Sequence, residues 1–135
     1  MNTAEVIYKG NFRCEATHLQ SGTKILTDAP TDNFGRGEAF SPTDLVATAL
    51  ASCMVTTVCI LTRQENINMD GSKLSVKKIM ASDPRRIARI EIDFEIPSGS
   101  LSNEQKTRIE DIALNCPVAK SLKAELIQEI RFNYV

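Results

Sequence analysis

The side chains in this sequence most able to start covalent chemistry are thiols, at Cys14, Cys53, Cys59 and Cys116, with His18 as the sole imidazole. Cysteines this scattered do not make the framework of a secreted disulfide scaffold. No pair has the spacing of a zinc knuckle, and a structural zinc site would need nearly every available ligand, so no metal site is read here. A Ser-His-Asp or Cys-His hydrolase would have only His18 to draw on. Covalent chemistry in this chain would have to run on a thiol without a histidine base.

Two of the four thiols have suggestive settings. Cys53 sits within "SPTDLVATALASCMVTTVC", Ser41 to Cys59, and on a helix it shares a face with Val46, Ala49, Leu50, Thr56, Thr57 and Ile60. Cys59 lies six positions on, about 120° around the axis and ~9 Å along it, so these two cannot pair. Cys116 immediately precedes Pro117, which places it at the N-terminal end of a helical turn, where free N–H groups favour a thiolate. The plainer alternative is that both are small buried hydrophobes, Cys116 completing an apolar face begun at Ile109. Sixty-three positions separate them (116 minus 53); two thiols on the inner faces of their own helices could meet in the core.

The elements that must position these thiols follow from pattern. "EVIYKGNFRCEA" roughly alternates apolar and polar residues, and "TKILT" follows a turn at Ser21-Gly22, so the first third reads as strands. Residues 28–40, "DAPTDNFGRGEAF", read as a loop. Ser41, Pro42 and Asp44 fit an N-cap, a proline at the first helical position and a first-turn acid. From Leu45 to Thr62 no residue is charged, close to a membrane-spanning length, but Thr48, Ser52, Thr56, Thr57, Thr62 and many alanines keep its apolarity modest. A helix without a polar face needs cover on all sides, and a second copy of the chain is the natural supplier. "SKLSVKKIMA" and "RIARIEIDFEIP" are strands, the latter alternating Ile90, Ile92, Phe94 and Ile96 with charged residues. "SNEQ" at 102–105 is a capping box opening a helix whose inner face includes Ile109, Ile112, Ala113 and Cys116. Pro117 interrupts that helix and starts a shorter one, and "EIRFNYV" is a last strand. The order predicts one α+β domain over residues 1–135 with antiparallel sheet. A formal net charge of -1 gives no reason to expect nucleic acid or an anionic membrane as partner. "MNTAEVIYKGNFRCE" has no export-signal pattern, so a cytoplasmic location is expected.

"SPTDLVATALASC" followed by "NCPVAKSLKAEL" resembles the paired signatures of the osmotically inducible protein C and organic hydroperoxide resistance (OsmC/Ohr) family, over essentially the whole chain. The resemblance implies an OsmC-like fold with a long central helix, an intertwined homodimer, and two active sites at the subunit interface. It implies a cofactor-free thiol peroxidase acting on hydroperoxides, with Cys53 the peroxidatic thiol and Cys116 the resolving one. A thiolate attacks the O–O bond, becomes a sulfenic acid and condenses with the second thiol. A dithiol, in the family a lipoyl-bearing protein, then restores the enzyme.

A mid-helix thiol needs help to ionise, because burial alone raises its pKa. The family supplies an arginine, held by a glutamate, from the region before the long helix. Arg36 in "FGRGEAF" is the candidate for that arginine, its plainer reading being a solvated loop charge. The glutamate is missing: the position after the helix-starting proline is Thr43. Asp44 is about 100° further round the helix and occupied as a cap, whereas Glu38 lies two residues from Arg36. Positions 43 and 44 precede Cys53 by nine or ten residues, about 14 Å along the axis. A group from this region reaches Cys53 only if the loop folds back or a second subunit provides it; an antiparallel crossing of two such helices is the expected arrangement. The rival readings are a non-catalytic stress protein that keeps the fold, and a disulfide switch that senses oxidants without turning over.

Overall fold

A computed structural model describes residues 1–97 and 99–135. Among these described residues, six strands and three α-helices follow one another as β1 Ala4–Gly10, β2 Arg13–His18, β3 Lys24–Asp28, α1 Pro42–Leu61, β4 Lys73–Ala81, β5 Arg86–Ile96, α2 Asn103–Leu114, α3 Pro117–Ser121 and β6 Ile127–Tyr134. They gather into two compact units, Met1–Val46 and Ala47–Val135, the boundary falling inside α1.

The first unit is an antiparallel meander, β1-β2-β3. Its first two strands come from "EVIYKGNFRCEA", which alternation alone reads through without a break. Gly10, Asn11 and Phe12 all have positive φ, 87°, 54° and 63°, and this left-handed run folds the segment into a hairpin. A second turn, closed by the His18 N–H to the Thr23 carbonyl at 2.8 Å and with Gly22 at φ 78°, pairs β2 with β3 and sets Arg13 opposite Asp28.

Asp28, read as the first loop residue, ends β3 instead; residues 29–40 are, as expected, outside the strands, but they form a closed loop. Asn33 and Gly35 donate to the Pro30 carbonyl, both at 2.9 Å, and the Asp28 N–H donates to the Phe40 carbonyl at 3.1 Å. Gly35 is obligatory there: a Cβ on it would fall 1.6 Å from the Ala29 carbonyl oxygen.

The start of α1 is a reciprocal cap. The Asp44 N–H donates to Ser41 Oγ at 3.1 Å and the Ser41 N–H to Asp44 Oδ2 at 2.9 Å, so first-turn donors are satisfied as the sequence anticipated.

The second unit packs α1 and α2 with a sheet of order β4-β5-β6. Its core joins Ala47, Leu50, Ala51, Met54 and Val58 of α1, Ile90, Ile92, Phe94 and Ile96 of β5, and Ile109, Ile112 and Ala113 of α2. By length and hydropathy α1 could cross a bilayer; here one of its faces belongs to this core, while Val46, Ile60 and Leu61 are exposed. Arg108 of α2 ties down its end, donating to the Leu61 carbonyl at 3.1 Å and pairing with Glu65.

The antiparallel expectation holds for β4 with β5 but not for β6, which pairs with β5 in parallel. The chain crosses over through α2 and α3 before returning, and a crossover of that kind delivers a parallel neighbour.

Candidate active site

Cys53 rides on the second half of α1 and is half-buried, whereas Cys116 caps the N-terminus of α3 and is fully buried. The core brings the two together: their sulfurs lie near enough to act directly on one another. Neither is in a disulfide. Thr57, one helical turn beyond Cys53, places its Oγ1 3.7 Å from the sulfur.

The two thiols are driven in opposite directions. At Cys53 burial is the largest single influence and pushes the pKa up. The Val118 N–H, the Thr57 hydroxyl and the Cys116 thiol together outweigh it, so the net shift is downward. At Cys116 burial dominates and pushes the thiol up. The N–H groups of Ala119 and Val118 offset this only in part, and the neighbouring Cys53 adds to the rise. The helical turn after Pro117 therefore favours a thiolate as expected, but at the neighbouring Cys53 rather than at its own cap residue. Chemically this is an acid–base division: one sulfur favoured as nucleophile, the other kept protonated beside it.

Cys59 is exposed on α1, its thiol pushed up by desolvation and by Asp70. Cys14 is half-buried in β2. Within the second unit, Cys59 is not among the groups that act on Cys53 or Cys116.

Within the first unit, Arg36 and Glu38 are both exposed, with the Arg36 Nε 4.0 Å from the Glu38 carboxylate. Asp44 is engaged in the α1 cap. A second arginine, which sequence reasoning did not single out, is held far more firmly. Arg13 Nε and Nη2 bind Asp28 Oδ1 and Oδ2 at 2.7 and 2.8 Å, a bidentate pair. The Asp28 side chain is wholly buried, and it also accepts the Glu38 N–H at 3.2 Å. The Arg13 hydrogen bonds hold the Asp28 carboxyl below its ordinary range against the opposing effect of burial. The only sequence signal for this pair was an acid opening the glycine loop; the register that sets it against Arg13 is that of β2 with β3, fixed by the turn between them.

The profile of OsmC-like proteins matches residues 35–130. Among solved structures, a Psychrobacter arcticus protein named for osmotic stress induction and detoxification response is 44% identical, with a TM-score of 0.93 over 98% of this chain and 96% of its own. An organic hydroperoxide resistance protein OsmC from Legionella pneumophila shares the fold at 14% identity, TM-score 0.75, with 98% of each chain covered. A Vibrio cholerae organic hydroperoxide resistance protein with captopril in one of its active sites also shares the fold, at 14% identity and TM-score 0.72 over 100% of this chain and 94% of its own. No curated protein matches the chain. The match over residues 35–130, with the 44% identity across nearly the whole length, places the chain in the OsmC-like protein family.

Proposed function

We propose that the protein is a thiol-dependent peroxidase that reduces organic hydroperoxides in defence against oxidative stress. The observation that carries this is the meeting of Cys53 and Cys116 from distant segments, with the Cys53 pKa moved down and the Cys116 pKa moved up, so that Cys53 is the more readily ionised of the two. The hydroperoxide resistance named in the Legionella and Vibrio proteins of the same fold supports the reading.

In the proposed cycle the Cys53 thiolate attacks the terminal peroxide oxygen, the O–O bond breaks, and the alcohol leaves with a proton from solvent. Cys53 is then a sulfenic acid. The Cys116 thiol attacks that sulfur, a disulfide forms and water leaves. A dithiol, free or carried on a lipoyl-bearing protein, reduces the disulfide and is itself oxidised to a disulfide. The cycle needs no cofactor. We assign the stabilising positive charge to a guanidinium from the first unit of a second copy of the chain. Arg36 is the sequence candidate, and Arg13, locked by Asp28 at 2.7 and 2.8 Å, is the better prepared.

The test is consumption of an organic hydroperoxide in the presence of a dithiol. Wild type turns over; Cys53→Ser does not; Cys116→Ser reacts once and accumulates a sulfenic acid that a dimedone probe traps at Cys53. Equal rates for wild type and Cys53→Ser would overturn the proposal.

A further inference from the structure

Helix α3 is five residues long, Pro117–Ser121, yet its first turn presents the Val118 N–H to Cys53. One turn of helix is marginal by itself, since nucleation consumes more order than its few hydrogen bonds return. Its own bonds are few: Lys120 N–H to the Cys116 carbonyl at 3.1 Å, and Ser121 Oγ to the Pro117 carbonyl at 2.8 Å. A helix this short leaves its last carbonyls without helical partners. One of them, Ala119 O, accepts a bond from Gln128 Nε2 at 3.1 Å.

Gln128 is well placed to be a fixed point. It lies on β6 directly opposite Ile90 of β5, which is fully buried and belongs to the core. A part-buried polar side chain beside a core residue calls for a partner, and the Ala119 carbonyl is that partner. Sheet, carbonyl and thiol-facing turn thus form a chain of contacts: β6 holds Ala119, and Ala119 sits next to Val118.

We propose that Gln128 is a positioning residue for the thiol pair: by holding the Ala119 carbonyl it fixes the α3 turn in the place from which its N–H groups meet Cys53 and Cys116. The inference rests on the proposed role of Cys53 as the reacting thiol, but its test does not require peroxide turnover. The groups facing Cys53 in its own unit are the Thr57 hydroxyl, the Cys116 thiol and the Val118 N–H. Lys78 shares the cross-strand row of Ile90 and Gln128, and all of these stay unchanged in the variants below.

The experiment is the pH dependence of Cys53 alkylation by iodoacetamide, followed by mass spectrometry of the Cys53 peptide. Gln128→Met keeps the side-chain volume and removes the donor. The expected result is alkylation at pH 7 slowed about fivefold, the worth of roughly 1 kcal/mol of hydrogen bonding, with the curve moved to higher pH and its upper plateau unchanged. Tyr134→Phe, which removes the bond from the Tyr134 hydroxyl to Glu110 at the other end of β6, controls for general loosening and leaves the curve in place. If Gln128→Met does not fold, Gln128→Asn, one methylene too short to reach, takes its place with the same expectation. A curve superimposable on wild type in a folded Gln128 variant, or an equal shift in Tyr134→Phe, overturns the proposal. Loss of peroxide turnover in wild type would strike the peroxidase reading alone.

Discussion

Thr57 follows Cys53 by four residues, so the helix itself delivers its hydroxyl to the sulfur, at 3.7 Å. Because the net shift at Cys53 is downward, the thiolate persists to lower pH than in a free cysteine, and removing a contributor must move the reactivity curve up in pH. Thr57→Val keeps the β-branched shape and deletes the hydroxyl. The expected outcome is a Cys53 alkylation rate at pH 7 about threefold to tenfold lower, as for one lost hydrogen bond, with the plateau at high pH retained; an unchanged rate refutes the hydroxyl's part. Thr57 was legible beside Cys53, because 3.6-residue periodicity states which residues share a helix face; Cys116, which the same periodicity put on the α2 face, instead caps α3, and its pairing with Cys53 was implied by the family resemblance. Arg13 and Asp28 were not legible, because a cross-strand pair exists only once the register is known.

At the scale of elements, two turns set the registers of the meander: the 18–23 turn pairs β2 with β3, and the 10–12 turn pairs β1 with β2. Asn11 and Phe12 adopt positive φ without being glycine, a conformation that composition does not announce. Period and caps, by contrast, identified α1, α2 and the Pro117 turn before any coordinates. The consequence of the β2–β3 pairing is that one buried carboxylate, Asp28, gathers Arg13, the Glu38 N–H and, through its own backbone, the Phe40 carbonyl. It therefore clasps the neck of the 29–40 loop. Its carboxyl lies below the ordinary value of 3.8 in the folded chain, chiefly because of Arg13. A depressed folded value contributes stability that is fully present above the unfolded value and lost as pH falls through the folded one. Asp28→Asn is accordingly expected to lower the thermal midpoint at pH 7, and the gap from wild type to narrow steadily as pH drops below about 3.8. Thermal melts across that range check it; a gap that stays constant with pH would mean the pair contributes through shape alone.

For the whole molecule, the decisive fact is where apolar surface has no cover. Every buried hydrophobic residue among those described lies between Ala47 and Ala119, none in the first unit. That unit instead exposes Val6, Ile7, Tyr8, Ile25 and Leu26 on its strands, with neighbours on both faces of the sheet, and α1 exposes Val46, Ile60 and Leu61. Three strands without a buried face do not stand alone in water, and apolar surface of this extent marks an interface. We propose a second copy of the chain as the partner, the one that the uncharged helix already called for. The expected mass in sedimentation equilibrium at micromolar concentration is twice 14.9 kDa. Ile7→Arg combined with Ile60→Arg, both at exposed positions that a monomer should tolerate, is expected to reduce it to one. A stable single-chain species for wild type would refute the dimer. Shared sites make a sharper demand. Subunits carrying Cys53→Ser, mixed and refolded with subunits carrying Arg36→Ala or, separately, Arg13→Ala, should regain one working site per mixed dimer if the guanidinium crosses between copies. The arginine whose mixture recovers hydroperoxide turnover is the one that serves Cys53, and recovery with neither would mean that no charge is exchanged between subunits.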